Sequence, residues 1–222
     1  GYGFHDGGEM LAVHDAHELW VFEIMPVGPL WTPKSGKPGA VWCAQRVPDD
    51  HVCVCPNESR IGEVDLKNKE YFLGSAHMVS FAVEQGLYDP KAGKPFSWKR
   101  AYSPVEGSAV STNGRRARLW RFFNLVAPSL KLSPEMPNMD FPFSVMPDKA
   151  ISVREVMSMT RDRSQGTPFD RVKGLRGGPF SNPNYYGTTR TIGTPSVEYT
   201  TITQCRGWLP APIGGIVWLS FG

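Results

Sequence analysis

The run Glu18-Leu19-Trp20-Val21-Phe22-Glu23-Ile24 decides the fold class. In an extended chain Leu19 and Val21 fall on one face and Trp20 and Phe22 on the other, so both faces are apolar and both need cover. A strand covered on both sides implies a layered fold. Just upstream, Glu9–His14 (Glu-Met-Leu-Ala-Val-His) is a second β-rich run, and Asp15-Ala16-His17 between the two reads as a hairpin turn. His14 and His17 flank that turn with no carboxylate or third histidine at ligand spacing, so they read as turn residues and not as a metal pair.

Working outward, residues 28–39 are rich in Pro, Gly and Lys and read as an exposed loop. Residues 41–47 and 52–55 follow as short strands joined at Pro48-Asp49-Asp50. Ser75 is placed to cap a helix running to Gln85, with Met78, Val79, Ala82 and Val83 on one side and Gly86 as its stop. Residues 113–127 carry Leu119, Phe122, Phe123 and Val126 at helical spacing, and Pro128 ends them. Ser152 and Glu155 form a capping box for a third helix with Val153, Val156, Met157 and Thr160 on its inner stripe. Between these helices, residues 129–149 make a Pro- and Met-rich connector long enough to be a functional loop. Residues 177–184 read as irregular backbone, and residues 197–206 and 213–221 as two closing strands, the last of them buried. The pattern predicts an α+β fold in one domain spanning residues 1–222. It also predicts that this domain is incomplete at both ends, since Gly1 opens without an initiator methionine and an apolar strand runs to the final residues.

The chain's 23 Gly and 20 Pro are spread along its whole length, which favours many turns and short elements over a helical bundle. Its 24 basic and 21 acidic residues are interleaved, so the net charge of +3 sets up no field that would recruit nucleic acid or an anionic membrane. The densest basic group, Arg115, Arg116, Arg118 and Arg121, reads as the solvated face of a helix. No apolar run reaches the roughly 18 residues of a membrane-spanning helix. A signal peptide would lie upstream of Gly1, so the compartment stays open between cytoplasm and export. Four irregularly spaced cysteines do not make a disulfide framework, and Cys53 and Cys55, two apart on a strand, lack the further ligands that zinc requires.

No phosphate-binding loop, zinc-protease helix, serine-hydrolase elbow or dinucleotide fingerprint is present. What stands out is residues 46–65, where a strand ends at Pro56 and delivers Asn57, Glu58, Ser59 and Arg60 together in an apolar context. Asn57 after Pro56 also suits a plain turn cap. Seven segments in order carry a resemblance over essentially the whole chain. They are residues 18–24, residues 42–50 (Trp-Cys-Ala-Gln-Arg-Val-Pro-Asp-Asp), residues 57–61 (Asn-Glu-Ser-Arg-Ile), residues 118–129, residues 166–170 (Gly-Thr-Pro-Phe-Asp), residues 178–183 (Gly-Pro-Phe-Ser-Asn-Pro) and residues 209–218. In these the chain resembles the dipeptidase family that includes the secernins.

That resemblance implies an N-terminal-nucleophile hydrolase with stacked α, β, β and α layers and antiparallel sheets. It implies a cysteine nucleophile upstream of Gly1 whose own α-amine, with an ordinary pKa near ~8, serves as base. Asn57 takes the place of the strand-end asparagine that donates to the oxyanion. Arg60 and Arg118 are the candidates for holding a substrate carboxylate or orienting the nucleophile, with Arg116 and Arg121 as alternatives to Arg118. Where the family commonly has His-Tyr-Glu-Gly-Thr, this chain has Arg163-Ser-Gln-Gly-Thr167, so roles tied to that histidine or glutamate do not carry over. Asn57-Glu58-Ser59 is also a glycosylation triplet, which the family reading places too deep for use. The expected function is dipeptide hydrolysis without a cofactor or metal, open to homo-oligomerisation, with the chain as written inactive for want of its nucleophile. Two alternatives are a non-catalytic, secernin-like interaction protein and an acylase of the penicillin V or bile salt hydrolase type.

Overall fold

The computed structural model describes residues 8–28, 31–103, 109–171, 173, 190–194 and 196–221. The irregular stretch expected at residues 177–184 lies outside them. Within the chain, contacts gather into two compact units: residues 1–106 with 142–144, and residues 107–141 with 145–222.

The first unit is built on an antiparallel sheet of β1 (Glu9–His14), β2 (Leu19–Pro26), β3 (Ala40–Arg46) and a short β5 (Phe72–Gly74), in that spatial order. The first hairpin runs from Glu9 opposite Ile24 to His14 opposite Leu19. Its turn is closed by the Asp15 carboxylate, which accepts from the backbone N–H of His17 and Glu18 at 2.7 and 2.9 Å. β2 is central, with Val21, Glu23 and Met25 fully buried on one face and Trp20, Phe22 and Ile24 half-buried on the other. Phe22 stacks on Trp42 of β3 on that second face, with ring centroids 5.9 Å apart. Both faces are therefore covered, one of them more deeply. β4 (Val52–Cys53) stays outside this sheet, so it does not pair with β3, and Cys55 lies past its end.

Helix α1 (Met78–Glu84) ends at Gly86, whose φ of 68° is the left-handed stop expected of it. Ser75 is not its cap. Ser75 Oγ accepts from the N–H of Trp42 at 2.9 Å, and its own N–H donates to the Trp42 carbonyl at the same distance, so the residue is spent on tying the chain to β3. The buried stripe of α1 is Met78 and Ala82, helped by Phe81; Val79 and Val83 face outward, contrary to expectation. Helix α2 (Trp98–Tyr102) supplies two large buried aromatic side chains and closes a core of Met25, Val41, Ile61, Met78 and Ala82 around Trp98 and Tyr102, whose rings lie 4.5 Å apart. Neither β5 nor α2 is long enough for a periodic signal, and neither was anticipated.

In the second unit, α3 (Ala109–Val126) starts four residues before the expected helix and ends as predicted before Pro128. Leu119, Phe123 and Val126 are buried, and Phe122 is half-buried. The arginine group on α3 is not a solvated face. Arg115 is buried, Arg116 pairs with Glu135 at 3.3 Å, and Arg121 makes a two-pronged bond to Asp162 at 2.9 and 2.7 Å. Helix α4 (Val153–Met159) opens with the expected box: Ser152 accepts from the N–H of Glu155, and the Glu155 carboxylate accepts from the N–H of Ser152 at 2.8 Å. β6 (Tyr199–Cys205) and β7 (Gly215–Phe221) form an antiparallel hairpin through the one-turn helix α5 (Ala211–Gly214). Ile202 and Trp218 are half-buried on one face, while Tyr199, Val217, Leu219 and Phe221 are 59–84 % exposed on the other. The last strand is therefore covered on one side only. No helix among the described residues is long and apolar enough to cross a membrane.

Candidate functional site

The polar cluster at residues 57–61 sits in the first unit, where the chain leaves β4. Asn57 holds a left-handed backbone with φ of 64°, a conformation that asparagine tolerates better than most residues with a Cβ. That geometry turns the chain sharply, leaving Asn57 exposed and driving Glu58, Ser59 and Arg60 inward. Asn57 and Cys55 line an open depression of about 350 Å³ together with Gly8, residues 9–12 of β1 and Val21 of β2. The asparagine is thus shallower than the sequence implied.

Beneath the turn lies Glu23, 0 % exposed at the middle of β2. Its Oε2 accepts from Ser59 Oγ, and its Oε1 accepts from the backbone N–H of Arg60 at 2.5 Å and of Ile61 at 3.1 Å. Three consecutive residues are thereby gathered by one carboxyl group. Burial pushes this carboxyl up to about 7, and the bonds from Ser59, Arg60 and Ile61 together with the Arg60 charge only partly offset it. Arg60 is itself 1 % exposed; its guanidinium lies 3.4 Å from the buried Glu58 and donates to the Pro142 carbonyl at 2.8 Å. Burial also pulls Arg60 below the ordinary guanidinium value, with Glu58 the largest opposing influence.

Cys53 and Cys55 bring their thiols together, and the hydrogen bond between them lowers Cys53 and raises Cys55. Cys43, the register partner of Glu23 on β3, is raised by burial first and by the Glu23 charge second. None of the four cysteines forms a disulfide among the described residues. Among the described residues no group of three or more His, Cys, Asp or Glu side chains is gathered as a metal site would require.

Asn57 and Arg60 thus stand together on one turn, the first at its surface and the second in its interior. Arg118 belongs to the second unit, half-buried on α3 with its Nε donating to the Gly114 carbonyl at 3.3 Å. The residue that sequence reasoning missed is Glu23. Its signal was available: a lone carboxylate between Val21 and Met25, on the face of a central strand that is otherwise apolar.

The description of peptidase family C69 matches residues 1–222, the whole chain. The chain belongs to peptidase family C69. Among curated relatives in the family's company, a probable dipeptidase of Salmonella dublin is 30% identical over 212 residues, covering 96% of this chain and 43% of the relative. A probable dipeptidase B of Streptococcus pyogenes serotype M1 is 27% identical, covering 97% of this chain and 40% of its own length. Dipeptidase A of Lactobacillus helveticus is 26% identical, covering 100% of this chain and 42% of its own length. The C69 chain described here therefore spans about two-fifths of the length of these relatives.

Proposed function

We propose that the C69 protein to which these residues belong is a cysteine-type dipeptidase, and that residues 55–61 form the oxyanion side of its active site. The observation that carries this reading is the turn itself: Asn57 is exposed to a depression while the three residues after Glu58 are clamped to a buried carboxyl group. An oxyanion donor has to be fixed in advance, because a donor that must reorganise during reaction loses most of its benefit.

In this mechanism the thiol of an N-terminal cysteine preceding Gly1 passes its proton to its own α-amine. The thiolate attacks the peptide carbonyl carbon, and the oxygen, now negative, accepts from the Asn57 side-chain amide. The C–N bond then breaks as the α-ammonium returns the proton to the leaving amine, and water hydrolyses the thioester. The family relationship supports the layered N-terminal-nucleophile sandwich as the whole fold, of which the antiparallel sheets here are part. Arg60, engaged inside the turn, is assigned an orienting role; Arg118 is assigned to the substrate carboxylate. Internal Cys43, Cys53, Cys55 and Cys205 have no free α-amine and take no part as nucleophiles.

The test is to assay the complete protein on a dipeptide panel beside penicillin V and a conjugated bile acid, and to sequence its mature N-terminus. Dipeptide turnover abolished by alkylation of an N-terminal cysteine is the expected result. A mature N-terminus other than Cys, Ser or Thr, or turnover of the acylated compounds alone, overturns it.

A further inference from the structure

The unassigned group nearest this turn is Glu23. Burying a carboxyl group completely is expensive, and a strand that is apolar at the neighbouring inward positions Val21 and Met25 has no packing need for one. Yet among the described residues the hydrogen bonds to the Glu23 carboxyl come from residues 59–61, the chain just beyond Asn57.

We propose that Glu23 is a positioning residue: by accepting from Ser59 Oγ and from the N–H groups of Arg60 and Ile61, it locks the turn that presents the Asn57 amide. The inference rests on the dipeptidase reading for its chemistry and on the geometry of the turn for its substance.

The groups that face Glu23 are Cys43 from β3, Cys55 from the segment after β4, and Arg60, with Glu58 behind it, from the turn. Cys43 and Cys55 are raised and stay neutral through physiological pH, so Arg60 is the one charge acting directly on the carboxyl group among these. Glu23 exists in two bonded states. Ionised, it accepts from all three donors with charge-assisted strength. Protonated on Oε2, it donates to Ser59 Oγ, which reverses its role, while Oε1 keeps the two backbone bonds. With the carboxyl at about 7, both states are populated near neutral pH, and the tighter clamp belongs to the higher side.

The experiment compares Glu23→Gln, Ser59→Ala and a control, Met25→Ala, buried on the same face of β2. In the complete protein, Glu23→Gln is expected to lower kcat by roughly 10- to 100-fold with KM within about twofold, as for loss of an interaction that matters in the transition state. It should also erase the limb of the pH–rate profile near 7 and leave the nucleophile's limb near ~8. Ser59→Ala, which keeps the carboxyl, should lower kcat less and shift the first limb. Met25→Ala should destabilise the fold and leave both limbs in place.

An unchanged profile in Glu23→Gln, or an equal kcat loss in Met25→Ala, overturns the proposal. The second arm needs no turnover: a ¹⁵N-resolved pH titration of the complete protein. The Arg60 and Ile61 amides and the Asn57 side-chain amide are expected to move together through one transition near 7, absent in Glu23→Gln. An Asn57 amide that stays still while Arg60 and Ile61 move overturns the positioning role; a complete protein inert on every dipeptide, with this coupling present, overturns the dipeptidase reading instead.

Discussion

Replacing Glu23 by Gln should change not only the stability of the first unit but the way that stability depends on pH. The carboxyl is raised from 4.5 to about 7 by folding, so between those values the folded chain holds a proton that the unfolded chain releases. A raised carboxyl stabilises the fold fully below about pH 4.5, and that contribution drains away as pH climbs through about 7. The shift corresponds to about 3 kcal/mol at a group this deeply buried. Glutamine has no such proton to lose. Urea denaturation followed by tryptophan fluorescence, at pH 4.5 and pH 8, gives the double difference between wild type and Glu23→Gln. With an m-value of about 2 kcal/mol/M, the midpoint of the variant should gain roughly 1.5 M relative to wild type on going from the lower to the higher pH. Whatever Gln costs in packing is the same at both and cancels. A difference that does not vary with pH, or that favours wild type at pH 8, would refute the assignment of a buried, titrating carboxyl to this position.

Asn57→Ala in the complete protein should lower kcat by about 100-fold, roughly 3 kcal/mol, with little effect on KM; a kcat within about threefold of wild type would remove Asn57 from the oxyanion. Asn57→Gly separates chemistry from backbone, because glycine adopts φ near 64° without strain: thermal stability should hold or rise while activity is lost, and retained activity would leave Asn57 a turn residue. Trp98→Ala, at the centre of the first unit's core, should cost about 3–5 kcal/mol in denaturant unfolding, and a loss under about 1 kcal/mol would mean that the core of this unit is not centred on Trp98. Ser152→Ala removes the helix box and should cost about 1 kcal/mol, read from the same unfolding curves; no measurable change would show that α4 is held by packing alone.

The parts of the fold legible in the sequence are those where local chemistry leaves little choice. The β1–β2 hairpin follows from alternating apolar residues on either side of an aspartate that closes the turn, and the start of α4 from a serine and a glutamate three apart. The parts that were not legible depend on partners far along the chain. Ser75 has the look of a helix cap, but Trp42, thirty-three positions away, offers its backbone first. β5 is three residues that become a strand only because β3 has an unpaired edge to receive them. The site divides the same way. Asn57 and Arg60 announced themselves by crowding at a strand end, while Glu23 is recognisable only once β2 is laid under residues 59–61.

The β6–β7 hairpin carries a consequence for handling. It is a two-stranded ribbon with no further strand on either edge among the described residues, and its outer face is Tyr199, Val217, Leu219 and Phe221. A row of exposed apolar side chains along a two-stranded ribbon is a template for adding like segments. In colloidal terms the ribbon is a sticky patch, one that limits the working concentration of the chain more than its modest net charge does.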